Sequence, residues 1–211
     1  MLFYRVVQFF VARGSALVFR ARLRGRERLP TTGGYVLAPS HRSMMDIPFL
    51  AYVTPRRVRF MGKVEVFKIP VVGTLFTWLG GFPVQRDGTD RKAVRDSIEI
   101  LHGGEPLVVY PEGTRQHGPA IQPLQPGAAY LAIRAGVPIV PVGIAGSEEI
   151  FRSHGTKIPR LRRIAIVIGE PIPPPQRTSG VVKREVVDEV TNLLAKELQQ
   201  VFDEAYELRK H

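Results

Sequence analysis

The sequence predicts a single α/β domain with a mostly parallel central sheet flanked by helices, and three observations carry that expectation. Short apolar runs bounded by turn residues alternate with amphipathic stretches along most of the chain, the order that a parallel sheet with crossover helices requires. The 211 residues, 44% of them apolar, suffice for one well-cored domain, and no repeat or Ser/Gly-rich linker divides them. Cysteine is absent, which removes a disulfide framework, a thiolate nucleophile and a cysteine-held metal.

The first element is MLFYRVVQFFVARGSALVF, residues 1–19. Phe3, Val6, Val7 and Phe10 follow helical spacing, while Arg5 and Arg13 make the segment too charged and short for a membrane span. Residues 1–30 hold seven arginines against one glutamate, the pattern of a helix lying in the interface of an anionic bilayer. The expectation is therefore an N-terminal membrane-associating helix, residues 1–19, followed by the main domain, 20–211. The alternative is a helix packed on the protein's own core; a cleaved signal peptide is disfavoured because no small-residue cleavage site follows an unbroken apolar region.

Next, FRARLRG alternates like a strand. Further strands are expected at 35–39, 57–61, 82–85, 106–110, 138–144 and 162–168, and helices at 46–53, 70–79, 89–102 and 126–135. The third of these helices opens at Thr89 and Asp90 and closes at Gly103 and Gly104. A final amphipathic helix, about 181–208, turns Val186, Val190, Leu193, Leu194, Val201 and Phe202 toward the core. Phe67, Phe76, Trp78 and Phe82 read as ordinary core aromatics, the alternative being the lining of an acyl-chain tunnel.

The formal charge is +11, and it is unevenly placed, because residues 182–211 hold five basic and seven acidic side chains. The remainder faces something anionic: nucleic acid, lipid head groups or a phosphorylated substrate. No zinc-finger spacing, aromatic RNA-binding signature or other reading module is present, so no nucleic acid is expected. The basic run Lys157, Arg160, Arg162 and Arg163 reads equally as a phosphate-contacting edge or a solvated one.

Chemistry concentrates at LAPSHRSMMDIP, residues 37–48. Five residues on one helix turn through about 500°, so His41 and Asp46 meet only across a bend. A strand broken at Pro39, and Asp46 read as an N-cap ahead of Pro48, supply that bend. There Asp46 can accept from one ring nitrogen, fix the tautomer and leave the other nitrogen free to take a proton. In LVVYPEGTR a buried strand delivers Glu112, Gly113, Thr114 and Arg115 to its carboxyl end, where α/β sheets bind ligands. Gly113 permits close backbone approach, Thr114 offers a hydroxyl, and Arg115 can grip a phosphate with two prongs. Lys63 follows one strand and Arg86 ends another. The remaining histidines show no metal-ligand spacing, and there is no Gly-x-Ser-x-Gly elbow; Ser40 reads as a loop hydrogen-bonder.

In order, HRSMMD, the block Gly81 to Arg86, YPEGTR and VPIVPV resemble the four motif blocks of the glycerolipid acyltransferase family, across about residues 20–170. Tyr110 stands where phenylalanine is more usual, and KVEV replaces KxEL. The resemblance implies acyl transfer from acyl-CoA or acyl-carrier protein to the free hydroxyl of 1-acylglycerol 3-phosphate (lysophosphatidate), forming phosphatidate without a cofactor. It implies His41 as general base steered by Asp46, Lys63 as an oxyanion or substrate contact, and Arg86, Glu112, Gly113, Thr114 and Arg115 around the acceptor's phosphate and glycerol. With the basic, apolar amino terminus, the expected location is peripheral or monotopic, on the cytoplasmic face of the cell membrane. Glycerol 3-phosphate or another lysolipid is the alternative acceptor, and a non-catalytic anionic-lipid-binding protein the alternative of another class.

Overall fold

The computed structural model describes residues 2–85, 90–151, 159–175 and 182–210, with the side chains of all of these except 2–8 and 11. Seven strands form one sheet: β1 (Arg22–Arg24), β2 (Tyr35–Pro39), β3 (Arg59–Lys63), β4 (Gly81–Val84), β5 (Pro106–Val108), β6 (Ile139–Ala145) and β7 (Ala165–Ile168). Their spatial order is β1-β7-β6-β2-β5-β3-β4, parallel at every pairing except β6 with β7. The helices are α1 (Leu2–Val18), α2 (Asp46–Val53), α3 (Val64–Phe67), α4 (Pro70–Trp78), α5 (Arg91–His102), α6 (Gly127–Ala135) and α7 (Arg184–Lys210).

The sheet is a central layer because its middle strands are apolar on both faces. All five residues of β2 and all seven of β6 are buried, as expected of parallel strands covered on two sides. Alternation splits β2 between two cores: Tyr35 and Leu37 pack with Phe19, Phe49 and Phe60 on the α1–α2–α4 side, while Val36 and Ala38 pack with Leu107, Ala128 and Leu194 on the α5–α6–α7 side. Each such large buried side chain contributes about 1.5–3 kcal/mol.

Local chemistry sets the helix ends. Asp90 caps α5 by accepting from the Ala93 N–H at 2.9 Å, and α6 stops at Gly136 in the left-handed region, φ 67°. Along the chain, β2 and α2 match expectation to the residue, and most other ends move by one to three residues. The four-residue α3 and the short 3-10 helices Arg26–Arg28 and Ser147–Glu149 were not expected, being too short for any periodicity to show. Two side chains depart from the core reading. Leu193 is exposed beside the buried Leu194, and Trp78 lies on the outside of α4.

Since β2, β3, β4, β5 and β6 all run one way, the loops that leave their carboxyl ends meet along one edge of the sheet. That edge receives the loop after β2 with His41, the loop after β5 with Glu112, and Lys63 at the end of β3.

Candidate active site

The chain leaves β2 with Ser40, whose N–H donates to the Val142 carbonyl and whose hydroxyl accepts from the Ile144 N–H at 3.0 Å. Ser40 is thus a buried splice between β2 and β6, which leaves it no freedom to act as a nucleophile. His41 comes next, and its Nδ1 lies 3.0 Å from Asp46 Oδ2.

Asp46 does not cap its own helix. It is the first residue of α2, Met45 is the N-cap, and the carboxylate turns back to the preceding loop. Oδ2 accepts from the Arg42 N–H at 2.9 Å and the Ser43 N–H at 2.8 Å in addition to His41, while Oδ1 accepts from the Ser147 hydroxyl at 2.6 Å. The side chain has no solvent exposure. A buried carboxylate needs such donors in place of water, and here they also aim it at one nitrogen of the imidazole. The His41 side chain keeps 15% exposure, and among the described residues no hydrogen bond reaches its Nε2. Its ring stacks on Tyr110, with centroids 3.9 Å apart and planes 27° from parallel. The Tyr110 hydroxyl is buried without a hydrogen-bond partner, and burial first, then the Asp46 charge, pushes its pKa well above that of an ordinary tyrosine.

The second loop is stitched to the first. Glu112 Oε2 accepts from the His41 N–H at 3.0 Å, Oε1 accepts from the Gln122 N–H at 3.1 Å, and the Gln116 N–H returns to the His41 carbonyl at 2.9 Å. Gly113 makes the bend between them at φ 72°, where a side chain would be strained. Oε1 of Glu112 also lies 3.4 Å from the Arg42 guanidinium, and neither side chain is exposed. Arg42 lies 4.4 Å above the Phe202 ring of α7, with its Nε and Nη1 unpartnered. Both carboxylate oxygens of Glu112 are therefore engaged by the protein, and the arginine it contacts is Arg42 rather than Arg115.

Thr114 and Arg115 are exposed on the same loop, two residues and one residue before the Gln116 contact with His41. Lys63 is exposed at the end of β3, two strands from β2, about 10 Å between strand axes, and it has no hydrogen bond to the dyad. Arg86 lies outside the described residues, as do Thr89, His154, Lys157 and His211. Among the described residues no group of three or more His, Asp or Glu is arranged to hold a metal.

Two residues that matter here escape sequence reasoning. Ser147 is aimed at Asp46 by Gly146, which turns the chain after β6 at φ 94°, a conformation that a Cβ would strain. The turn is itself fastened to α7: the Tyr206 hydroxyl donates to Glu148 Oε1 at 2.6 Å, and Arg209 grips both oxygens of Glu149. A serine in GSEE carries no pattern that marks a catalytic contact 101 residues away. Arg42 is the other; its place beside His41 was visible, but its burial against α7 was not.

Comparison with known proteins gives this geometry its context. The protein-family model described as Acyltransferase matches residues 20–145, which span β1 to β6 and both site loops. A 1-acyl-sn-glycerol-3-phosphate acyltransferase of Bacillus subtilis (strain 168) is 28% identical over 148 residues, 70% of this chain and 71% of that protein. The 1-acyl-sn-glycerol-3-phosphate acyltransferase alpha of Homo sapiens is 31% identical over 140 residues, 63% of this chain and 48% of the human protein. The chain thus spans about half the length of the human relative. The crystal structure of the 1-acyl-sn-glycerophosphate (LPA) acyltransferase from Thermotoga maritima aligns with a TM-score of 0.75 at 25% identity, covering 94% of this chain and 79% of that one. With the family match running through more than half its length, the chain belongs to the acyltransferase family and is an O-acyltransferase.

Proposed function

We propose that the protein transfers a fatty acyl group from a thioester donor, acyl-CoA or acyl-carrier protein, to the free hydroxyl of 1-acylglycerol 3-phosphate, forming phosphatidate for phospholipid synthesis. The observation that supports this most directly is His41, held through Nδ1 by a buried carboxylate and presenting a ring nitrogen free of hydrogen bonds among the described residues. An alcohol is a poor nucleophile at neutral pH. His41 Nε2 takes the acceptor's hydroxyl proton as the oxygen attacks the thioester carbonyl, a contribution of about 10² to 10⁴ in rate. The imidazolium is matched by Asp46, the tetrahedral intermediate collapses with loss of the thiolate, and the proton passes to the departing sulfur. The free thiol and the new ester are the products.

Acceptor orientation falls to the exposed groups of the edge. Arg115 and Arg86 grip the phosphate with the Gly113 and Thr114 backbone beside them, and Lys63 contacts the oxyanion or substrate. Glu112 contributes by bracing the loop that carries the glycerol and phosphate contacts against His41. The reaction takes place at the cytoplasmic face of the membrane, with residues 1–19 as the interface helix and 20–211 as the acyltransferase domain. In support, α1 exposes Phe9, Phe10, Leu17 and Val18 beside Arg13, although no helix among the described residues is long and apolar enough to cross a membrane.

The test is product analysis by mass spectrometry, with purified protein, palmitoyl-CoA and either lysophosphatidate or glycerol 3-phosphate. Phosphatidate from wild type and none from His41→Ala is the expected result. Transfer that survives in His41→Ala removes the general-base mechanism, and acylation of glycerol 3-phosphate alone changes the acceptor.

A further inference from the structure

Large apolar side chains are not exposed evenly over this molecule. Of the thirteen exposed among the described residues, nine lie on α1, on α4 or in the loops leading into α2 and α4: Phe9, Phe10, Leu17, Val18, Met44, Ile69, Val71, Leu75 and Trp78. The opposite layer, α5 to α7, exposes only Tyr130 and Leu193. Val71, Leu75 and Trp78 recur at four and then three residues, which places them on one stripe of α4. They are 80%, 43% and 53% exposed, while Phe76 on the other side packs edge-on against Phe60 and Phe67. One helix thus buries an aromatic face and still presents another apolar face outward.

We propose that this stripe of α4, with Ile69, is a second bilayer-contact surface, so that the α1–α2–α4 layer as a whole, and not α1 alone, seats the protein on an anionic membrane. The proposal rests on the reading that the acceptor is a membrane lipid. Three features select a bilayer over a protein partner. The stripe shares its layer with α1 and α2, since Phe76 and Leu79 at α4 pack in one core with Phe49 of α2 and with Phe19, which follows α1. The cations Arg13, Arg20, Lys63 and Lys68 are exposed on or beside α1, α3 and α4, against the exposed acids Glu65 of α3 and Glu27 of the 3-10 helix Arg26–Arg28. Anionic head groups complement that distribution. Tryptophan, finally, favours the level of the head groups, where its ring is half in hydrocarbon and half in water. Both α2 and α4 begin at the sheet edge that carries His41, so seating this layer brings lipid to the mouth of the site.

Trp78 is the sole tryptophan of the chain, which makes its fluorescence a direct reporter on α4. Full-length protein is mixed with vesicles of phosphatidylcholine with and without phosphatidylglycerol. With the anionic vesicles, Trp78 emission is expected to move to shorter wavelength and to be quenched by brominated acyl chains. Ile69→Asp/Val71→Asp should lower vesicle partition about ten-fold or more. Both positions are exposed and acids suit a helix amino terminus, so the fold should persist, and acylation of a short-chain, monomeric lysophosphatidate should stay at the wild-type rate. Flotation with vesicles while Trp78 remains unshifted and unquenched would overturn the proposal, leaving α1 as the sole seat. A shift that follows protein concentration without lipid would also overturn it, by assigning the face to a second copy. The functional reading fails separately: a protein that makes no phosphatidate from any donor, yet shows the Trp78 response, keeps this surface and loses that acceptor.

Discussion

Replacing Asp46 by asparagine isolates the carboxylate's charge from its shape. Oδ2 accepts three N–H donors, from His41, Arg42 and Ser43, and an amide oxygen at that position can accept all three. The amide nitrogen then falls where Oδ1 is, opposite the Ser147 hydroxyl, which can rotate to accept from it. The fold should therefore survive, with a melting temperature within a few degrees of wild type. What disappears is the negative charge 3.0 Å from the ring nitrogen when His41 becomes imidazolium in the transition state. A pair at about 4 Å in partly screened surroundings is worth about 4 kcal/mol, and the partial exposure of His41 reduces this toward about 2. That range corresponds to a fall in kcat of about 30- to 1000-fold. The assay is the initial rate of thiol release from palmitoyl-CoA at saturating lysophosphatidate, paired with thermal melting. A rate within about three-fold of wild type, in a variant that melts normally, would refute the catalytic role and leave Asp46 as a loop brace.

Two further changes probe the turn after β6. Ser147→Ala removes the hydrogen bond to Asp46 Oδ1, and since a bond to a charged group is worth about 1.5–3 kcal/mol, kcat should drop about ten-fold or more with KM little changed; steady-state kinetics check it. Glu149 is held below the usual glutamate range, mainly by its hydrogen bonds to Arg209 and further by the charges of Arg209 and Arg162. A lowered folded-state value adds stability above the unfolded-state pKa and loses it as pH falls through the folded one. Melting curves of wild type and Glu149→Gln should accordingly differ at neutral pH and converge below about pH 4, by less than about 1 kcal/mol because the pair is half open to water.

The sequence conveyed the fold wherever burial leaves a periodic trace. The β2 run YVLAP and the helix after Asp46 were legible to the residue, since a central strand is apolar throughout and a proline opens the helix. The pairing of His41 with Asp46 was legible as well, because side chains five residues apart meet only where the chain bends between them. The partners of that dyad were not. Asp46 was expected to cap its helix, yet it accepts from the residues before it, an outcome set by loop geometry that no local pattern encodes. Glu112 was expected among the substrate contacts and instead has both oxygens occupied by protein, which only the docking of two distant loops decides. Trp78 passed for core because an exposed aromatic and a buried one look alike in a one-dimensional pattern.

The bonds from Glu148 and Glu149 to Tyr206 and Arg209 have a consequence for biogenesis. During synthesis the imidazole and its carboxylate leave the ribosome early, but the peg that steadies that carboxylate is itself tethered to a helix translated some 150 codons after His41. A nascent chain halted before that helix would carry every motif residue and still lack the tether behind the Ser147–Asp46 hydrogen bond, so the bracing of that carboxylate arrives late.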